Sequence, residues 1–483
     1  MEPENPANLV FGGGASGTVL HPLMLVVMIL AALAILLAPR KYIPIPFLLV
    51  VFLGAIGQQI YIAGFHFYVA RILIMTGILR VISAKLISKE PIFVGGFDLV
   101  DKLFVAWVFC RCATNVLLNS GATGAIVYQV SFMIDAIGAF LLMRYAIKDE
   151  EDILRVVKLF AVLTCIFAVT MLDEKFHNQN IFGYLGVVSI VPAVREGSVR
   201  AMGAFAHPIL AGVFGVAVMP LFWWLWQSGK SKLAGFLGFC GSMGMMLMSA
   251  SSTPLLSFLA AVLAWFAWPF RNRMRVVRWG IVIMLIALHL VMKAPVWFLI
   301  ARVDLIAGNS GYHRAMLIDQ CVRHFSDWWL IGTDAAGTWG WDLWDTSNQF
   351  VQEAESGGLI TFVLFILIIS RSFRKIATAR KIVADDPKQE RYMWALSVTL
   401  FTNCVCFFGV SYFDHTKIMW FTFLAIVTAA TAPILATQKE TSPAIAQYPI
   451  PLKPAFPAPR LARVDDPSPA DTRLPVGSRL RSR

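Results

Sequence analysis

Charge is scarce in this chain. Of 483 residues only 14% are Asp, Glu, Lys or Arg, while 58% are hydrophobic. Soluble globular proteins carry about 25% charged residues, so a water-soluble globule is excluded. Cysteine is scarce too: there are seven, and only Cys321 falls in a polar outer stretch, so no outer disulfide is expected. The Cys110/Cys112 and Cys404/Cys406 pairs lack the second ligand set of a zinc site and read as buried helical thiols. The eight histidines include no His-x3-His pair of the kind that builds a helical metal site. No metal and no cofactor are expected. No repeat of about 20–50 residues is present. The net charge of +12 does not imply nucleic acid, because much of it sits in short loops and in the tail, where anionic lipid headgroups are the natural partner.

What is abundant is apolar sequence in runs. Leu20–Ala38, Ile43–Ile62 and Val213–Trp226 approach the ~20 residues that cross a bilayer. Leu20–Ala38 is followed by Pro39-Arg40 rather than by a small-residue cleavage site, so it reads as a span and not as a removed signal. Spans are read near 19–38, 43–62, 66–83, 99–118, 126–146, 155–173, 207–227, 233–250, 253–270, 277–295, 349–370, 393–412 and 417–436. The fold class is all-α and polytopic, with about 12–13 transmembrane helices in residues 1–436. Every second gap is basic, around Arg40, Lys85, Arg144, Lys230, Arg271 and Arg374. The positive-inside rule places those gaps in the cytoplasm and the two long loops, about 174–206 and 296–348, outside. Residues 437–483 are Pro- and Arg-rich with no apolar period and read as a disordered cytoplasmic tail.

Two charges fall within spans. Asp135 and Arg111 both lie roughly 15 Å from the inner face at 1.5 Å per residue, so an ion pair between them is expected, either as a helix–helix staple or as part of a proton relay. All eight histidines fall on the outer half of this topology.

The larger outer loop carries Arg302, Arg314 and Arg323 against Asp304, Asp319, Asp327, Asp334, Asp342 and Asp345. Its net charge is negative, so individual arginines, whose planar fork pairs bidentately with phosphate, would have to be placed by the fold. Residues 312–329 read as an amphipathic helix with Ala315, Ile318, Val322, Phe325 and Trp329 on one face and His313, Arg314, Gln320 and Arg323 on the others. Such a helix can lie on the outer leaflet. Trp297, Trp328 and Trp329 fit an interfacial aromatic belt. Trp339, Trp341 and Trp344 alternate with Gly and Asp, a pattern open to the same belt or to sugar contact, with the ring face against the sugar and carboxylates on its hydroxyls.

Three stretches together resemble the O-antigen polymerase and ligase superfamily of bacterial membrane glycosyltransferases. The first is Arg200-Ala-x-Gly-x-Phe-x-His-Pro208 at the start of a span. The second is Arg302, then Gly311-Tyr-His-Arg314, then Ile331-Gly332. The third is Ser347-Asn348, nine residues, Gly358, two residues, and Thr361. The ligases have His where Ser347 stands. The resemblance implies a GT-C-like helical fold, no metal, and an undecaprenyl-diphosphate-linked oligosaccharide as donor. It assigns Arg200, Arg302 and Arg314 to the diphosphate, where they would stabilise the charge of the leaving group.

Serine has no accessible pKa for base catalysis near pH 7. With Ser347 in place of histidine, a carboxylate such as Asp345, Glu353 or Glu355 would take the acceptor proton, or leaving-group stabilisation would dominate. The departure favours a polymerase of exopolysaccharide or O-antigen repeat units over a ligase. A flippase and a chain-length regulator are expected neighbours by resemblance. A lipid-linked oligosaccharide transporter is the rival class; it predicts more charge inside spans and smaller outer loops. A carboxylate-dependent GT-C enzyme usually carries acids in its first outer loop, and here that loop, about Ile62–Phe65, has none. Ser347-Asn348 also suits a helix N-cap. Ser347→Ala is therefore expected to retain transfer activity, measured as product per unit of protein; complete loss would give Ser347 a role beyond capping.

Overall fold

The computed structural model describes residues 17–441 apart from 55, 63–64, 88–90, 120–122, 187, 196, 303–309 and 342. The Pro/Arg-rich tail, Asp304 and Asp342 lie outside the described residues. The described chain is all-α with two short hairpins. In order it runs α1 (Pro22–Leu37), α2 (Pro44–Leu53), β1 (Gln59–Ile62), β2 (Phe65–Tyr68), α3 (Val69–Ile87), α4 (Leu99–Leu118), α5 (Thr123–Ala146), α6 (Glu150–His177), β3 (Ala193–Arg195), β4 (Ser198–Arg200), α7 (Pro208–Gln227), α8 (Lys232–Met248), α9 (Ser252–Phe266), α10 (Met274–Val291), α11 (Leu299–Arg302), α12 (Ser310–Arg323), α13 (Phe325–Trp328), α14 (Gln349–Ile382), α15 (Pro387–Phe407) and α16 (His415–Thr441). Every span read from the sequence overlaps one of these helices, the second over its first half alone. Six of them, α5, α6, α7, α10, α14 and α16, are long and apolar enough to cross a bilayer. α1, α8 and α9 are shorter apolar helices.

Helix starts are set by local chemistry. Asp98 opens α4 with a reciprocal capping box to Asp101. Asp149, Asn348 and Asp386 cap α6, α14 and α15, and Pro208 sits at the start of α7 behind the cap His207.

The second expected span is only half helical. α2 stops after Leu53, and the chain continues into the β1–β2 hairpin. Val19 and Gln59 exchange backbone hydrogen bonds, so this extended segment returns to the level at which α1 begins. Non-helical backbone at such a depth must be satisfied by protein. Gln58 and Gln59 supply this: the Gln58 side chain accepts from His21 N at 2.7 Å and donates to the Leu185 carbonyl, and Gln59 donates to the Gly17 carbonyl.

The basic gaps gather at one end. Arg40 donates to Asp152 at 2.8 Å and to the Ala146 carbonyl. Arg144, fully buried, donates twice to Asp101 at 2.9 Å. Lys230 pairs with Glu150, and Lys375 with Asp98. Glu390 accepts from both Arg271 (3.0 Å) and Arg380 (2.7 Å). Each pair joins two of the gaps or helix ends assigned to the same side, which is the side pattern the alternation of charge requires.

α8 packs into α6 and α7 along a seam of Gly235, Gly238, Gly241 and Gly244. A Cβ at Gly241 would lie 2.8 Å from the backbone of Thr164 and Cys165, and one at Gly235 2.5 Å from Trp226 N. Small residues at such a seam let helix backbones approach where apolar burial alone gives little net drive. Gly241→Val is expected to overpack it, a change typically worth about 1–3 kcal/mol, and to lower the thermal midpoint in detergent by several degrees. Gly280→Ala on α10, which meets nothing within 4 Å, is expected to leave that midpoint unchanged or slightly raised.

Candidate functional site

The longest helix, α14, is broken at Gly358, whose backbone takes φ 72°. The break is stitched to the loop before it. Thr333 N donates to the Glu355 carbonyl at 2.8 Å, and Leu359 N donates to the Trp329 carbonyl at 2.9 Å. Gly332 also has positive φ, and a Cβ there would collide with the Glu355 carbonyl, while one on Gly358 would lie 2.7 Å from the Leu330 carbonyl. The second and third motif stretches thus interlock, and each glycine is required by the other's backbone. Thr361 bonds back to the Gly357 carbonyl at 2.9 Å. Asn348 caps the helix, accepting from Phe350 N and Val351 N. Ser347 is half-buried beside it, and its backbone N–H donates to the Asp345 carbonyl.

Below the cap lies a buried carboxylate. Glu353 accepts from Trp107 Nε1 at 2.7 Å, Gln349 Nε2 at 2.6 Å and Arg111 Nη1 at 3.1 Å. Arg111 also donates to Ser356. Gln349 in turn accepts from Tyr412 N at 2.6 Å. The expected Arg111–Asp135 pair does not form. Asp135 is held instead by two nitrogens of Arg71 at 2.9 and 2.6 Å. The physical reason is that Arg111 meets a second acid, Glu353 in the first turns of α14, a partner from a distant span that a count along one span could not supply.

Glu355, on the next half-turn, is 6% exposed; Thr346 Oγ1 donates to its Oε2 at 2.6 Å, and its Oε1 has no hydrogen bond. Arg314 on α12 is 5% exposed. The amphipathic reading of 312–329 needs correction. The helix stops at Arg323 and resumes as α13, and the side packed inward carries Arg314, Leu317 and Cys321, with Trp328, Val351 and Ala354 in the same cluster. Of the expected apolar face, Ala315 is buried and Ile318 packs on this cluster, while Val322, Phe325 and Trp329 stay exposed. The expected face is thus covered only in its first half, and the packed side also contains Arg314.

The first motif forms its own corner. Glu174 receives Met202 N and Gly203 N at 2.9–3.1 Å, Asn180 donates to the Gly203 carbonyl at 2.7 Å, and Gly203 has φ 58°. Phe205 is buried among Phe167, Phe214 and His415. His207 accepts from Ile209 N as the cap of α7. Arg200 is 9% exposed and donates to Ser251 Oγ at 2.7 Å; among the described residues no carboxylate lies within ion-pair distance of it. Burial, with Arg195 nearby, holds its guanidinium below arginine's usual pKa. The corner connects to α14: Thr253, two residues beyond Ser251, donates to the Gly409 carbonyl at 3.4 Å, and Asn348 Nδ2 donates to the Phe408 carbonyl at 3.4 Å.

The remaining candidates are spread out. Arg302 is exposed at the end of α11 and forms no ion pair among the described residues. Asp345 is exposed, and His313 Nε2 lies 3.1 Å from its carbonyl. Trp339 is core, stacked on His324 with centroids 5.2 Å apart, whereas Trp341 and Trp344 are 94% and 74% exposed. Among the described residues no three His, Cys, Asp or Glu side chains are gathered as a metal ion requires. Sequence reasoning missed Glu174, Trp107 and Ser251. None carried a local signal: Glu174 meets Gly203 across 29 residues of chain, Ser251 meets Arg200 across 51, and Trp107 meets Glu353 across 246. No family model matches the chain, and no curated protein does either.

Burial, with the nearby Glu355 carboxylate, pushes the Cys321 thiol up to about 12. Thiolate is the reactive form, so a variant retaining only Cys321 is expected to resist a charged maleimide at pH 7.5 until the protein is denatured. Rapid native labelling would mean that the α12–α14 contact opens.

Proposed function

We propose that this chain is a metal-independent membrane glycosyltransferase that joins undecaprenyl-diphosphate-linked oligosaccharide repeat units into exopolysaccharide or O-antigen. In this reading the bundle is GT-C-like, sits in the bacterial inner membrane, and presents its two long loops to the periplasm. A flippase would deliver the substrate and a chain-length regulator would act beside it.

The observation that carries the reading is Arg200. A cation buried to this degree with one serine hydroxyl as partner is costly unless an anion completes it. The diphosphate of the donor is such an anion. Arg314, buried against α14, is the second candidate for it, and Arg302 the third. As the glycosidic bond breaks, negative charge grows on the leaving diphosphate, and fixed guanidinium donors stabilise that charge more than they stabilise the bound donor. The attacking acceptor hydroxyl must lose a proton. Glu353 has three donors on its carboxylate, whereas Glu355 keeps one oxygen unbonded, which makes Glu355 the better placed of the two as base. Trp341 and Trp344 offer open rings for a sugar. An O-antigen ligase reading shares all of these roles except the acceptor. A transporter reading draws on the two ion pairs Arg71–Asp135 and Arg111–Glu353, since charged pairs within spans also occur in relays.

The test is turnover by purified protein given undecaprenyl-diphosphate repeat units and a chelator. A ladder spaced by one repeat is expected; a single transfer to an added lipid acceptor would indicate a ligase, and binding without product would favour a transporter. Arg200→Ala and Arg314→Ala are expected to lower the rate by about 10²–10³-fold with normal insertion, and Glu355→Gln by about 10²–10⁴-fold. Trp265→Phe is expected to retain full activity. Wild-type rates in the arginine variants would remove those residues from the site.

A further inference from the structure

The elbow between α12 and α13 carries an apolar stripe that the candidate site does not use. Val322, Phe325 and Trp329 follow one another at helical spacing, and Leu330 comes next. All four are exposed, from 45% for Phe325 to 62% for Leu330. Cys321 and Trp328 turn the other way, into the buried cluster with Val351 and Ala354 of α14. Trp328 Nε1 donates to the Cys321 carbonyl at 2.7 Å, which closes the corner around His324. Arg323, Ser326 and Asp327 are exposed as well. The elbow therefore has a core side, an apolar side and a polar side. Single exposed apolar residues are ordinary, but four large ones within nine positions of one elbow mark a contact surface.

Backbone contacts fix the level of this surface. The Trp329 carbonyl accepts from Leu359 N at 2.9 Å, and Thr333 N donates to the Glu355 carbonyl. A Cβ on Gly358 would lie 2.7 Å from the Leu330 carbonyl. Leu359 opens the apolar run of α14, 359–369, in which Thr361 is the one polar residue, and α14 is long and apolar enough to cross a bilayer. Beyond the break, Leu359, Ile360, Val363 and Ile366 are exposed. Trp329 and Leu330 are thus tied to α14 at the residues where its apolar run begins, level with the start of its exposed apolar surface.

We propose that the α12–α13 elbow dips into the membrane leaflet beside α14, with Val322, Phe325, Trp329 and Leu330 in lipid at the boundary of headgroups and acyl chains. The occupant of the surface is lipid because the patch lies level with a helix surface that the bilayer covers. Its make-up also fits that boundary, where tryptophan is enriched and amphipathic segments bury aromatic and aliphatic side chains. The leaflet contact expected for the whole of 312–329 is thereby assigned to its second half and Leu330. Arg314 lies on α12 and Glu355 three residues before Gly358, so the inserted elbow would hold both at the membrane surface, where a membrane-borne substrate is met. That consequence rests on the function proposed above; the insertion does not.

The test uses the full chain in nanodiscs of phosphatidylcholine that bears a diazirine on one acyl chain. After irradiation and proteolysis, lipid adducts are mapped by mass spectrometry. Adducts are expected on 322–330 and on 359–366, and none on the exposed stretch 334–338. Phe325→Gln combined with Leu330→Gln is expected to lose most of the adducts on 322–330 while keeping those on 359–366. Adducts on 359–366 without any on 322–330 would overturn the proposal. Hydroxyl-radical oxidation of the same sample would then show what takes the place of lipid: water if Phe325 and Trp329 are oxidised, a protein partner or a second copy if they are protected. Unchanged labelling in the double variant would overturn the assignment to these side chains. If that variant does not fold, the wild-type map decides alone. No reading depends on turnover, so a chain that inserts its elbow and makes no polymer would refute the function proposed above and leave this inference standing.

Discussion

At Gly358 the backbone of α14 leaves the helix, and the hydrogen bonds this releases are taken up by the loop from Trp329 to Thr333. Most of the candidate chemistry depends on that exchange. It lets the helix carry two buried carboxylates, Glu353 and Glu355, above an apolar run that continues toward the basic end. It also draws α12, and with it Arg314, against the first turns of α14. A continuous helix would rotate the residues before the break relative to those after it and would leave the Trp329 carbonyl and the Thr333 N–H without partners. Unpaired backbone groups of this kind cost free energy comparable to a lost hydrogen bond. The two glycines, 332 and 358, are therefore one requirement placed in two parts of the sequence.

The polar groups inside the bundle are arranged as closed sets. Glu353 collects Trp107, Gln349 and Arg111; Asp135 collects Arg71; Asp101 collects Arg144. Each neutralises charge that a low-dielectric interior would otherwise oppose. Against that background the exceptions are informative. Arg200 has a serine and, among the described residues, no acid within ion-pair distance, and Glu355 has one bonded oxygen and one unbonded. Both stand apart from the closed sets, at the end of the bundle where the motif stretches lie.

Part of this was legible beforehand. Apolar runs of bilayer length and alternating basic gaps are read one segment at a time, and the helices and the gathering of Arg40, Arg144, Lys230 and Arg271 at one end follow from them. The cap at Asn348 was of the same local kind. The second expected span and the amphipathic helix were less accurate for a shared reason. Hydropathy records how apolar a segment is, but not whether its backbone is paired by side chains elsewhere, as Gln58 and Gln59 pair it, or which side of a helix the protein covers, as Leu317 and Cys321 show.

The sequence by itself determined that the chain is a helical membrane protein, which side its basic gaps share, and which arginines, glycines and acids could carry chemistry, because composition and spacing along one strand are enough for those conclusions. Only the tertiary structure decided who meets whom. It gave Arg111 to Glu353 and Asp135 to Arg71, turned Arg314 inward, left Trp341 and Trp344 open while burying Trp339, and set Lys417 beside Arg111 across more than 300 residues of chain. Those pairings depend on depth and rotation of helices about one another, set by a helix break and by glycine seams whose effect exists only once the helices are packed.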